Sequence, residues 1–494
     1  MIALDIRLCF RYNGVMKNKV QTSVGLWAVW FIFALCTLFI GAYHEPWADE
    51  AQAWLIGRDA TVWEILSEYA RLEGQPPLWH LLLRGLILCG LPYSCFFLVA
   101  WVFSVAGVGL FLWKSPFPKW LKSLIPFTYF IFFQYTIVAR QYCLALLFLS
   151  WIAIVYPTRH ERPFRYALAL CLSGFSSLPA LLVSGSLYFL FLCENLRLKT
   201  ERAKNWLSAG LIFGFMLLMT AILFPSLEHH YITEKYDGVT PTERFFILFP
   251  SIITMTFFSD KLDSWHWNTA LYIATVLVIG SFFWKNKKNL LAVLILYTPL
   301  LLLFTLLCSQ IWHLGHLFLL LIFCLWIFYD QTQFKPVWTN IRVWLLTGVF
   351  VLHIGWSAYL GWYDVMNPYS AGKAVAQFIK PYQTSGKTIM ATNFWTVAVQ
   401  PYFPENIFVN WDRSFWFHKQ NAKNYQLLEF LSKNPLPDVI LVNIENSMQD
   451  EGQAFFEQIN ATKQYEPGKV FPAKLPGKVN EWGDLSLAVF VKKQ

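Results

Sequence analysis

Six side chains in this sequence could share one chemistry if folding brought them together. Asp49 and Glu50 are adjacent carboxylates in "HEPWADEAQAW", and Arg58 follows nine residues after Asp49. Arg140 stands in "TIVARQYCL", and His313 and His316 in "SQIWHLGHLF". A carboxylate can take a proton from a hydroxyl. A cation flanked by apolar sequence needs a partner, a path to the interface or a functional anion. Two histidines three residues apart share a helix face and could hold a phosphate or, with further ligands, a divalent metal.

Each residue also has a plainer reading. Asp49 precedes the helix-like "EAQAWLIGRD" with Gln52 three residues on, a capping-box pattern, so it is a helix cap or a proton acceptor. Glu50 points roughly 100° away on a helix, either into solvent or toward an acceptor or metal ion. Arg58 reads as a helix-surface charge, Arg140 as a snorkelling interfacial cation, and Arg84 as a snorkelling or paired one. His80, His313, His316 and the loop pair His229-His230 read equally as interfacial or loop histidines.

The elements that must position these groups are set by composition. Of 494 residues, 56% are hydrophobic and 14% charged, which is too apolar for a soluble chain of this length. Runs of about 20 apolar residues recur from Gly25 to Trp362 without the alternation a barrel needs. The fold class expected is a polytopic α-helical membrane protein with spans near 24–42, 95–113, 123–139, 141–156, 166–178, 179–193, 205–225, 269–284, 289–307, 317–329 and 343–362. The pair 166–193, broken at Ser176-Ser177-Leu178-Pro179, reads as a tight hairpin or as two half-helices beside a cavity.

The net charge of +9 is sorted by loop, so nucleic acid is not needed to explain it. Four basic residues fall in 1–23, three in 114–122, three in 157–165, four in 194–204, three in 285–288 and two in 330–342. Those loops are expected in the cytoplasm with the N-terminus. The loop 43–79 carries two bases against seven carboxylates, and 226–268 three against six; these are expected outside. No small-residue cleavage site follows the 24–42 run, so residues 1–23 do not read as a cleavable signal. Nine cysteines form no disulfide framework or C-x-x-C metal pattern.

Residues 1–362 thus form a transmembrane module with a large first outer loop, 43–92, and residues 363–494 a second, extracytoplasmic α/β domain. In the latter, "SAGKAVAQFIK", "NAKNYQLLEFLSKN" and "EGQAFFEQI" read as helices, and "KTIMAT", "NIFVNW", "DVILVNI" and "LSLAVFVKK" as strands. No glycine-rich phosphate loop supports nucleotide binding. A single sequon, Asn460-Ala-Thr462, lies in it.

The segments "ADEAQAW", "GQPPLWHLLL" and "ARQYCLALLFL", all within residues 24–160, resemble the GT-C superfamily of membrane glycosyltransferases, in its protein O-mannosyltransferase and lipid A aminoarabinose transferase branch. The resemblance implies transfer of a sugar from a polyprenyl-phosphate-linked donor to an acceptor hydroxyl of a glycan, lipid or protein. It places the work at the outer face of a membrane, here a bacterial inner (plasma) membrane. It carries Asp49 over as the active-site carboxylate. Such chemistry needs a base and cations for the departing phosphate, so the site expected is Asp49 and Glu50 for catalysis, with Arg140, Arg58, His313 and His316 at the donor phosphate. The chain departs from that pattern at Gln75, where aminoarabinose transferases carry Lys before Pro-Pro. Whether a divalent metal ion takes part stays open. The alternative functions are a transporter or flippase of a lipid-linked glycan, or a non-catalytic assembly protein.

Overall fold

The computed structural model describes residues 24–197, 202–224, 240–258, 265–308, 310–330, 340–392, 394–417, 436–443, 451–473 and 486–493. The N-terminal segment 1–23, His229-His230 and the helix expected over 421–434 lie outside the described residues.

Among the described residues, seven helices are long and apolar enough to cross a membrane: Val24–Tyr43, Tyr93–Lys114, Leu178–Asn195, Ala203–Leu223, His266–Phe283, Lys287–Leu306 and Ile341–Met366. At 1.5 Å per residue, about 20 residues reach across a hydrocarbon core. Their outer faces stay apolar where no protein covers them. Phe31, Leu35 and Phe39, spaced four apart on the first helix, are each more than half exposed, as are Leu207, Leu211 and Leu218 on the fourth. Water would not tolerate such stripes and lipid would, which is compatible with an integral membrane protein.

The other expected spans are shorter or broken among the described residues. The helices at Cys143–Val155, Pro163–Ser176 and Ile311–Ile327 are shorter. The stretch expected to span over 123–139 breaks into a helix at Lys119–Leu124, a tight turn at Ile125–Phe127 and a π turn at Phe130–Gln134, then runs irregularly to Tyr142. Pro126 sits at the first break, and Thr136 turns its hydroxyl onto the Ile131 carbonyl at 2.6 Å. Every residue from Thr128 to Leu146 is buried. Irregular backbone survives beside apolar helices when protein encloses it, so this stretch is apolar because it is core. The loop expected over 226–268 contains a helix, Pro241–Phe257.

We number as α1 the helix Val24–Tyr43, as α2 Ala48–Asp59, as α3 Leu78–Leu88 and as α4 Phe96–Lys114. After these come α5 Cys143–Val155, α6 Pro163–Ser176 and α7 Leu178–Asn195. Tyr166 near the start of α6 meets Phe191 near the end of α7, so 163–195 is the tight hairpin, turned at Ser177, whose side chain accepts from Ala180 N.

The C-terminal residues form a four-stranded sheet, β1 Ile389–Ala391, β2 Val439–Asn443, β3 Lys469–Phe471 and β4 Leu487–Val491, in the order β1-β2-β4-β3. β1 runs parallel to β2, and the other pairs are antiparallel. The expected strand 406–411 contributes only a single bridge, Phe408 to Ile389. Asn410 there grips Ala391 through both its amide atoms instead. β3 was not foreseen.

This sheet region docks directly on the loop after α1. Gln52 on α2 both accepts from Trp416 N at 2.9 Å and donates to Trp416 O at 2.7 Å. Arg58 donates to the Phe403 carbonyl at 2.6 Å, Ser414 bonds Asp59, and Arg413 pairs with Glu64 at 2.7 Å. Arg84 lies on the carbonyls of Gly57 and Ala60, where a cation complements the C-terminus of α2.

Gln52→Ala would leave the buried Trp416 N–H with no acceptor, a cost of about 1–3 kcal/mol. We expect a lower melting temperature and faster hydrogen exchange at the Trp416 amide. Unchanged exchange there would show that Gln52 does not hold the two parts together.

Candidate active site

α2 starts at Trp47, whose backbone is extended and whose carbonyl accepts from Glu50 N and Ala51 N. The Glu50 carboxylate reaches back to Trp47 N at 3.2 Å. Glu50 therefore satisfies the Trp47 N–H at the start of α2, and Asp49 is not the helix cap. Gln52, the supposed partner of that cap, is spent on Trp416. Asp49 instead projects from the first turn of α2, where the helix dipole favours a carboxylate.

Its partner comes from 91 positions along the chain: Arg140 Nη1 lies 3.1 Å from Asp49 Oδ2, with the Asp49 side chain still 23% exposed. Arg140 Nε donates to Gln141 Oε1 at 3.3 Å. The snorkelling account of Arg140 thus gives way to a buried cation on an acid. Burial pushes the Asp49 carboxyl above its ordinary range against the pull of Arg140, and Glu50 adds to the push.

A second carboxylate faces the same cation. Glu73 is raised by burial, opposed by Arg140 and reinforced by Asp49, and its carboxylate accepts from Gln52 Nε2 at 3.4 Å. The Tyr142 hydroxyl lies within electrostatic reach of Arg140, Asp49 and Glu73, and is 2.9 Å from His313 Nδ1. Asp49, Glu73, Arg140, Tyr142 and His313 thus form one cluster of polar side chains. Sequence reasoning missed Glu73, one of seven acids in its loop, although it immediately precedes the "GQPP" turn. Tyr142 had no signal beyond standing two residues after Arg140.

The other expected residues are placed elsewhere. Glu50 is not solvated; its side chain is fully buried, with Oε1 accepting from Ala139 N at 2.6 Å and Oε2 lying 2.9 Å from His44 Nε2. Arg58 grips Asp59 through two nitrogens, at 2.7 and 2.8 Å, and belongs to the docking of the C-terminal region rather than to a phosphate site. His316 is spent on structure. Its Nδ1 sits near Tyr135 Oη and the His313 carbonyl, and its Nε2 is 3.3 Å from Ser177 Oγ. His80 is not interfacial but 3% exposed, with neither ring nitrogen hydrogen-bonded. Gln75 accepts from Leu178 N at 3.1 Å and so caps α7. Among the described residues no three His, Cys, Asp or Glu side chains stand together as metal ligands.

Behind Glu50 the His44 ring completes a buried cluster, its Nδ1 3.0 Å from Asp364 Oδ2 near the end of Ile341–Met366, which we call α8 in this numbering of the elements around the site. Burial alone would depress His44, but Asp364 and Glu50 overcome it and raise its pKa from 6.5 to about 10.

Comparison of the chain with family models, with curated proteins and with solved structures finds no match in any of the three.

Because the folded pKa of His44 exceeds the unfolded one, its contribution to stability is complete below pH 6.5 and is lost as pH rises through about 10. The melting-temperature gap between the native chain and His44→Gln should be widest below pH 6.5 and close toward pH 10. A gap that widens with pH would show that the ring is buried neutral.

Proposed function

We propose that the protein transfers a sugar from a polyprenyl-phosphate-linked donor to an acceptor hydroxyl at the outer face of a bacterial inner membrane, as a glycosyltransferase of GT-C type. The observation that carries this reading is the 3.1 Å contact between Asp49 and Arg140. It unites an acid and a cation that separate arguments had assigned to proton removal and to phosphate binding.

In the reaction, Asp49 takes the acceptor proton as the acceptor oxygen bonds to the sugar's anomeric carbon. The bond from that carbon to the phosphate oxygen breaks, and its electron pair leaves with the phosphate. Arg140 neutralises the charge that gathers there, and its burial strengthens that stabilisation. A carboxyl raised by burial is a better base than a solvated one. Glu73 lies opposite as a second acid able to bind sugar or acceptor hydroxyls, and Tyr142 with His313 offers polar atoms at the phosphate. Residues 394–417 of the C-terminal region dock on α2 itself, so they share a side with Asp49, the side we take as extracytoplasmic, with the N-terminus in the cytoplasm. The acceptor is a glycan, lipid or protein that reaches that side.

Asp49→Asn keeps the size and hydrogen-bonding shape of the side chain but cannot take the proton. With a lipid-linked sugar donor, turnover should fall by about 10²-fold or more while the protein still folds. The acid limb of kcat/KM should follow a carboxyl titrating above 3.8 and move to higher pH in Arg140→Gln, because Arg140 lowers that pKa. An active Asp49→Asn enzyme would remove Asp49 from the mechanism.

A further inference from the structure

We propose that His44 and Asp364 are positioning residues of the cleft. Through the Glu50 carboxylate and the Ala139 amide they fix the backbone that carries Arg140, and so its grip on an anion. This rests on the reading of Arg140 as the phosphate ligand.

The connection is continuous. Asp364 Oδ2 lies 3.0 Å from His44 Nδ1, His44 Nε2 lies 2.9 Å from Glu50 Oε2, and Glu50 Oε1 accepts from Ala139 N at 2.6 Å. The next residue is Arg140, whose own N–H turns back to the Val138 carbonyl at 2.9 Å. No helix or strand ladder runs through residues 135–142. An irregular backbone takes its conformation from the partners its amides find. For Ala139 that partner is Glu50, and what holds Glu50 holds Arg140.

The chemistry of the cluster makes the hold rigid. Both ring nitrogens of His44 face carboxylate oxygens, so both carry protons and the ring is an imidazolium. Glu50 in turn receives Trp47 N, Ala139 N and His44, and the Glu50 and His44 side chains are both fully buried. Losing the Asp364 charge frees the ring to turn or to shed a proton, and Glu50 then loses its imidazolium partner. Glu45 is the other acid beside His44, offset by Lys373, and Tyr369 packs on the ring edge-on at 4.5 Å. Asp364 lies near the end of α8, eight residues before the helix Gly372–Thr384 starts. The cluster therefore ties the geometry of the cleft to the point where the C-terminal region begins.

The test is a double-mutant cycle on the purified full-length chain, titrated with a polyprenyl phosphate that carries no sugar. Asp364→Ala should weaken binding about tenfold, as loss of a supporting partner does. Asp364→Asn, which keeps an acceptor for the ring, should restore part of it. Arg140→Gln with Asp364→Ala should bind no worse than Arg140→Gln alone, because Asp364 acts through Arg140. Losses that add would overturn the proposal and leave the phosphate reading intact. If Asp364→Ala does not fold, the same cycle run with Asp364→Asn decides. If Arg140→Gln binds as the native chain does, the phosphate reading falls. The relay is then judged by hydrogen exchange at the Ala139 amide, where faster exchange in the Asp364 variant supports it and unchanged exchange overturns it.

Discussion

A carboxylate sealed from water destabilises a fold unless its oxygens are met by donors, and Glu50 is such a group. Its three donors come from the start of α2, the end of α1 and the irregular stretch that carries Arg140. Those elements cannot separate without leaving a buried charge unpaired. The relative placement of α1, α2 and residues 135–142 therefore follows from one side chain. Asp49, one residue before it and about 100° around the helix, is turned toward Arg140 as a consequence.

Adjacent acids thus divide two tasks that composition alone cannot tell apart. Glu50 is satisfied on every side and holds the site together. Asp49 is matched by a single cation, keeps part of its surface open and is held above the usual carboxylate range. The Trp416 backbone on Gln52 presses the C-terminal region against the same helix. α2 is in this way fixed from behind by Glu50 and from the side by Gln52, leaving the face that bears Asp49 toward Arg140.

What could be read in advance follows from which forces act locally. The long apolar helices announce themselves because a lipid-facing segment must be apolar throughout. The stretch 123–139 looks the same in sequence because a fully enclosed core is equally apolar, and only Pro126 and the threonines hint at its breaks. Asp49 and Arg140 were legible as a costly acid and a costly cation, yet their contact spans 91 positions and no local rule predicts it. The capping pattern at Asp49 and Gln52 misled because the helix starts two residues earlier, where Glu50 and not Gln52 reaches back to the N-terminus, onto Trp47 N. His316 and Arg58 resembled ligands until the structure supplied neighbours that use up their polar atoms. Glu73 was hidden among other acids, since its distinction lies in facing Arg140 and not in its sequence surroundings.

The account stands or falls on whether the cleft between Asp49 and Arg140 receives a lipid phosphate. Photo-crosslinking with a polyprenyl phosphate that carries a reactive group next to its phosphate, mapped by mass spectrometry on the membrane-embedded protein, tests this most directly. The account predicts adducts at cleft residues such as Tyr142, Glu73 and His313, suppressed in Arg140→Gln. Adducts confined to other helices and indifferent to Arg140 would contradict it.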